Sequence, residues 1–206
     1  MTVLLPHAEL ARLAGAAYRG PWSGRAALDC EYDLLPRDGE VVVVMPGTNP
    51  QDAFDWIRDA RAWPRRFPVV GLCHSGFGAG GTAVAARALA ALKGETRLIT
   101  VTGHSLGGAL AVIVAAWLIK AGYRARVVTF GAPRAAFCLN RALGRIVHEA
   151  GELIEYRRAG DPVPHLPMRT FYRHLTPGVA LGVAQPEPIA NHAIGLYEGD
   201  LAALGQ

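Results

Sequence analysis

The chain has 206 residues, 51% of them apolar, and a net charge of +4. That length suits one domain spanning 1–206, and that apolar share builds a core unaided and excludes a disordered chain. The positive balance does not indicate nucleic acid: Lys93 and Lys120 are the only lysines, the arginines are mostly dispersed apart from one cluster at Arg58, Arg61, Arg65 and Arg66, and no run matches a nucleic-acid tail.

Residues 7–18 place apolar side chains at helical spacing and are predicted to form a helix. Two strand-like runs follow, 26–35 and 40–45. Between them Pro36, Arg37, Asp38 and Gly39 have turn chemistry, so a hairpin is expected. The valines of 41–44 suit a central strand covered on both faces. Strands are then expected at 69–72, 97–102, 126–130 and 153–157. Helices are expected at 82–92, from 106 to 121, and near 137–144, with an apolar-aromatic stretch at 170–175 and a helix after His192. The alternation predicts an α/β fold, a mostly parallel sheet with helices on both faces. The run 106–121 is too short to span a bilayer, so no transmembrane segment is expected.

Chemistry concentrates at Gly103-His104-Ser105-Leu106-Gly107, a Gly-x-Ser-x-Gly segment between an expected strand and an expected helix. A strand turning directly into a helix crowds its flanks, so side chains are excluded at 103 and 107. The turn exposes the serine hydroxyl, and the helix N-terminus aims amide donors where an oxyanion would form. Ser75 has Cys73 where the motif needs glycine, and Ser23 has no such frame. Ser105 is the expected nucleophile.

A serine nucleophile needs a base, and the base an orienting carboxylate, in the chain order serine, acid, histidine on this kind of sheet. Asp161 lies just past a strand end in a proline-stiffened loop, though an Asp-Pro pair also opens turns. Downstream stand His148, His165, His174 and His192. Chain order favours His192 only modestly over His165, and His174 falls within a strand-like run.

Further segments accompany these: Ala16-Ala17-Tyr18, Val44-Met45-Pro46-Gly47-Thr48, Asp55-Trp56, His74-Ser75-Gly76-Phe77, Thr129-Phe130-Gly131-Ala132-Pro133-Arg134, and His192 with Tyr197. In this order they resemble the class 3 lipases, the family that includes the filamentous-fungal triacylglycerol lipases. The resemblance implies an α/β-hydrolase fold and a Ser105–Asp161–His192 triad. It implies an oxyanion hole from the backbone N–H groups of Thr48 and Leu106, aided by the Thr48 hydroxyl. The implied activity is hydrolysis of a carboxylic ester or lipid through an acyl-enzyme on Ser105. A phospholipase or acyltransferase with the same triad is the alternative enzyme, and a silent binding domain the alternative class.

Residues 50–68 lie where that family carries a lid. Asp55, Arg58, Asp59 and Arg61 have the spacing of a salt-bridged helix, and Trp56, Trp63 and Phe67 add apolar surface for transient contact with lipid. Gly76-Phe77-Gly78-Ala79-Gly80-Gly81 fits a dinucleotide fingerprint, but the next strand runs straight into the serine turn instead of ending on an acid. No cofactor is therefore expected. His74 has no ligand partner at metal spacing and reads as structural. Cys30, Cys73 and Cys138 cannot all pair, and no leader of basic and long apolar regions is evident. Together these predict a cytoplasmic protein with free thiols.

Overall fold

The computed structural model describes residues 4–48, 63–149 and 152–206. In chain order its strands are β1 (Gly24–Arg25), β2 (Glu31–Pro36), β3 (Glu40–Met45), β4 (Pro64–Phe67), β5 (Gly71–His74), β6 (Leu98–His104), β7 (Ala125–Phe130), β8 (Ala136–Phe137), β9 (Leu153–Arg158), β10 (Tyr172–Arg173) and β11 (Val179–Leu181). The helices are α1 (His7–Ala16), α2 (Ser75–Ala91), α3 (Leu106–Lys120), α4 (Arg141–His148) and α5 (Ile194–Ala203).

Seven strands form the main sheet in the order β1-β2-β3-β6-β7-β9-β11. The β1–β2 and β2–β3 pairings are antiparallel, and every pairing from β3 to β11 is parallel. The expected mostly parallel sheet is present. Its two faces bury alternate residues of the same strands. Val41, Val43, Met45, Ile99, Val101 and Val127 meet α2, α3 and α4, while Val42, Val44, Val128, Phe130 and Tyr156 meet α1 and α5. Because β3 buries valine on both sides, a slip of one residue would leave its burial almost unchanged. Its register is held instead by the hairpin, in which Pro36 pairs with Val41, and by Glu40. That buried carboxylate accepts from the Leu5 amide at 2.6 Å, from Arg126 at 3.0 Å and from the Thr100 hydroxyl. Stranding such a charge by removing one partner costs about 3–5 kcal/mol.

The helix α3 is buried around almost its whole circumference, which explains why its sequence is apolar without an amphipathic stripe. No helix of the described residues is long and apolar enough to cross a membrane.

Several boundaries differ from the sequence expectation. The run 26–35 pairs only from Glu31, because Leu28 (φ 66°) and Asp29 (φ 52°) turn the chain ahead of it. The strand expected at 69–72 is displaced to Gly71–His74, since Val69 (φ 64°) and Gly71 (φ 72°) form the turn from β4. It belongs to a second sheet, β10-β8-β5-β4. The helix expected at 137–144 begins at Arg141, where the Asn140 side chain accepts from the amides of Ala142 and Leu143. The stretch 170–175 contributes only Tyr172–Arg173, and β11 went unforeseen.

The helix expected from residue 82 starts at Ser75, so the glycines of the apparent dinucleotide fingerprint lie inside α2. A Cβ on Gly81 would sit 2.5 Å from Ile113, one on Gly80 would sit 2.9 Å from the Cys30 sulfur, and one on Gly78 would strike Phe67. Each glycine costs helix propensity of about 1 kcal/mol. Close packing against α3 and β4 requires them regardless, and no phosphate-binding loop exists there.

Residues 50–62, including the expected salt-bridged helix of Asp55, Arg58, Asp59 and Arg61, lie outside the described residues. Of residues 50–68, Trp63 is exposed and the next four residues form strand β4.

Candidate active site

Strand β6 ends at His104, and Ser105 follows with φ 55° and ψ −126°, a conformation that costs a non-glycine residue about 1–3 kcal/mol. The surroundings enforce it. A Cβ on Gly103 would lie 2.5 Å from the Gly107 carbonyl carbon, and one on Gly107 would collide with the Met45 carbonyl oxygen. The Ser105 amide donates to the Phe130 carbonyl at 3.0 Å. The Leu106 amide, first in α3, has no acceptor within the helix. This is the strand-turn-helix geometry that the motif implied.

Asp161 follows β9 and is 1% exposed. One carboxylate oxygen accepts from the Val163 amide at 2.9 Å. The other accepts from His192 Nδ1 at 2.8 Å and from the Tyr197 hydroxyl at 2.5 Å. Burial, then the Asp161 charge, push the Tyr197 phenol far above its usual range, so it remains a donor. With Nδ1 donating, the neutral His192 ring presents Nε2 as an acceptor. His192 Nε2 and Ser105 Oγ are both buried without a hydrogen-bond partner among the described residues. Gly131 (φ 58°) makes the junction possible, since a Cβ there would lie 2.9 Å from the Asp161 carboxylate and 3.1 Å from the His192 ring.

The segment bearing His192 is held from beneath. Arg158 donates to the Asn191 side chain at 2.7 Å and to Asp200 at 2.9 Å. Asn191 in turn donates to the carbonyls of Gln185 and Glu187. From the other side His104 Nε2 donates to the His192 carbonyl at 2.8 Å. A carbonyl only accepts, so this bond fixes the His104 tautomer, and the Tyr18 hydroxyl donates to Nδ1 at 2.6 Å. Burial, and then the neighbouring His192, hold His104 well below the usual histidine range. The backbone of Gly47 also bonds the Tyr18 oxygen. Gly47, Tyr18, His104 and His192 thus form one continuous polar chain.

Thr48 and Leu106 line a common cleft of about 670 Å³, whose wall includes Ala79, Gly80 and Leu110. The Thr48 hydroxyl is buried without a partner among the described residues. The rival histidines stand elsewhere. His165 is exposed, and His174 lies between Glu155, at 3.3 Å, and the Pro164 carbonyl, at 2.7 Å. His174 therefore braces the loop that Asp161 opens. His74 is fully buried and stacked on Phe77 at 4.1 Å, and burial lowers its pKa to about 4.

Sequence reading assigned no role to Tyr18, His104, Gly131 or Tyr197. Tyr18 and His104 are 86 positions apart, so no local spacing links them. The signal available for His104 was its place inside the serine motif, at the end of a strand aimed at the site.

Comparison with known proteins bears on this geometry. Residues 42–171 match the family model described as Lipase (class 3). A secreted mono- and diacylglycerol lipase of Fusarium solani is 34% identical over 148 residues, covering 67% of this chain and 43% of its own length. The chain thus spans less than half of the curated relatives it matches. A Rhizomucor miehei lipase in complex with its propeptide superposes with a TM-score of 0.66 at 22% identity, covering 84% of this chain and 65% of that one. A triacylglycerol lipase whose catalytic centre is formed by a serine protease triad superposes at 0.59 with 26% identity, covering 72% and 61%.

These relatives correct the cytoplasmic expectation, because the curated fungal lipases are named as secreted. Cys73 is fully buried, and burial pushes its thiol up to about 12, while Cys30 and Cys138 are half-buried.

Proposed function

The chain belongs to the class 3 lipase family, and from that premise we propose that it hydrolyses carboxylic esters of acylglycerols, with Ser105, His192 and Asp161 as its triad. His192 Nε2 takes the Ser105 proton as the oxygen attacks the ester carbonyl. The resulting oxyanion is held by the amides of Thr48 and Leu106 and by the Thr48 hydroxyl. Protonated His192, stabilised by Asp161, returns the proton to the departing alcohol and leaves an acyl-enzyme. Water then enters, activated by the same imidazole, and releases the acid. The acyl chain lies along Leu106, Leu110, Ala79 and Gly80 in the cleft.

One observation carries the proposal. The atoms that must exchange the proton, Ser105 Oγ and His192 Nε2, are buried and unpartnered, whereas the groups holding them are hydrogen-bonded. Leaving a buried polar atom unpaired costs about 1–3 kcal/mol, and here it leaves both atoms, which are not bonded to each other, free to engage an ester and its proton.

A fluorophosphonate probe tests the nucleophile, and emulsions of mono-, di- and triacylglycerol test the substrate. Covalent label mapped to Ser105, with fatty acid released from at least one glyceride, supports the reading. Acyl release by a protein that the probe leaves unlabelled would overturn the assignment of Ser105.

A further inference from the structure

Two segments distant in sequence, 134–148 and 162–175, hold five arginines and no aspartate or glutamate. The fold lays them side by side. Strands β8 and β10 pair, the Cys138 amide donates to the Phe171 carbonyl at 2.9 Å, and Arg173 donates to the Asn140 carbonyl at 2.7 Å. Arg134 turns inward to the carbonyls of His165 and Pro167. Arg141, Arg145 and Arg169 are exposed, and none of them forms an ion pair among the described residues. Arg141, Arg145 and Arg173 line a groove of about 760 Å³ whose one carboxylate, Glu149, lies just past the end of α4.

Beside these cations stand Leu139, Met168 and Phe171, which are 79%, 64% and 48% exposed. Met168 and Phe171 close one turn, the Phe171 amide donating to the Met168 carbonyl at 3.0 Å. Single exposed apolar side chains are ordinary, but three at one end of the β8–β10 ladder are not. Their place matters too. The two segments leave the C-terminal ends of β7 and β9, the sheet end where Ser105 follows β6, and the second continues the loop opened by Asp161.

We propose that this edge docks the protein on an anionic phospholipid surface. Leu139, Met168 and Phe171 enter the acyl boundary while Arg141, Arg145 and Arg169 bind headgroup phosphates. Guanidinium groups suit phosphate oxygens, and apolar side chains among cations are how a protein lies on a bilayer without spanning it. A free phosphate would engage the arginines but leave the apolar triplet without purpose. The proposal rests on the reading of the protein as a lipid esterase, since docking on this edge brings the end of the sheet that carries Ser105 to the lipid.

Sedimentation with vesicles tests it, comparing phosphatidylcholine alone with phosphatidylcholine mixed with phosphatidylglycerol. The intact protein should bind the mixed vesicles, and added salt should weaken that binding. Each arginine near such a surface contributes about fivefold, so R141Q/R145Q/R169Q should bind roughly a hundredfold more weakly. Leu139→Ser with Phe171→Ser should also lose binding. Both variants should hydrolyse a soluble p-nitrophenyl ester at the parental rate, which shows that they fold. Equal binding by parent and triple variant overturns the proposal. So does displacement from the vesicles by inorganic phosphate together with unchanged binding of the serine variant, which would mark a small phosphate site only. If vesicles bind as described but no ester is cleaved even by the parent, the catalytic reading fails and the docking surface stands.

Discussion

His104 Nε2 donates to the main-chain carbonyl of His192 at 2.8 Å, and the two rings lie 4.4 Å apart. The residue beside the proposed nucleophile therefore holds the backbone of the proposed base. Tyr18 completes the hold and links it to Gly47, next to Thr48.

Tyr18→Phe removes the donor to His104 at nearly constant shape and leaves a buried acceptor unpaired, a loss of about 1–3 kcal/mol in stability. His104→Ala releases the His192 carbonyl, and a misplacement near 1 Å costs about 10²-fold in rate. Turnover should fall in both variants, more in His104→Ala, with KM little changed. A lower melting temperature with unaltered turnover would assign the pair to stability alone.

At the turn itself, Ser105→Ala should lower turnover by up to ~10⁶. Ser105→Gly should be equally inactive yet more stable than Ser105→Ala, because glycine accepts φ 55° without strain. A gain of about 1 kcal/mol corresponds to about 2–4 °C in a chain of this size. Equal melting temperatures would mean that the fold stores no strain at Ser105.

Thr48→Val separates catalysis from stability. If the hydroxyl serves the oxyanion, turnover should fall by ~10²–10³ while KM holds. The variant should also unfold no more easily than the parent, because the deleted hydroxyl has no partner among the described residues. A loss under threefold would leave the two amides as the only donors.

Acid should weaken the fold through His74 and His104. Both pKa values are lowered by burial, His74 to about 4. Above about pH 6.5 each is neutral whether folded or unfolded, so neither affects stability. Below it the unfolded chain takes up protons that the folded one refuses, and stability falls by at most about 1.4 kcal/mol per pH unit for each histidine. For His74 the fall ends near pH 4. His74→Asn keeps a side-chain acceptor for the Phe77 amide and does not titrate. Urea midpoints between pH 7 and 4 should decline less steeply in that variant, and an unchanged slope would remove His74 from the account.

The sequence by itself determined the alternation of strands and helices, the β2–β3 hairpin and the serine turn. Each is written in short-range chemistry: valine runs, a Pro-Arg-Asp-Gly turn, and glycines two positions either side of Ser105. The same local reading placed the start of α2 seven residues late, because glycine looks like a break until Ile113 and Leu110 are seen packed against it. Only the tertiary structure separated His192 from His165. Both follow Asp161 in the chain, and what distinguishes them is a 2.8 Å bond made across 31 residues. The Tyr18–His104–His192 chain was illegible for the same reason. A hydrogen bond between distant segments leaves no period or spacing in sequence, and it exists only once the fold has set the end of β6 between the turn after α1 and the turn before α5.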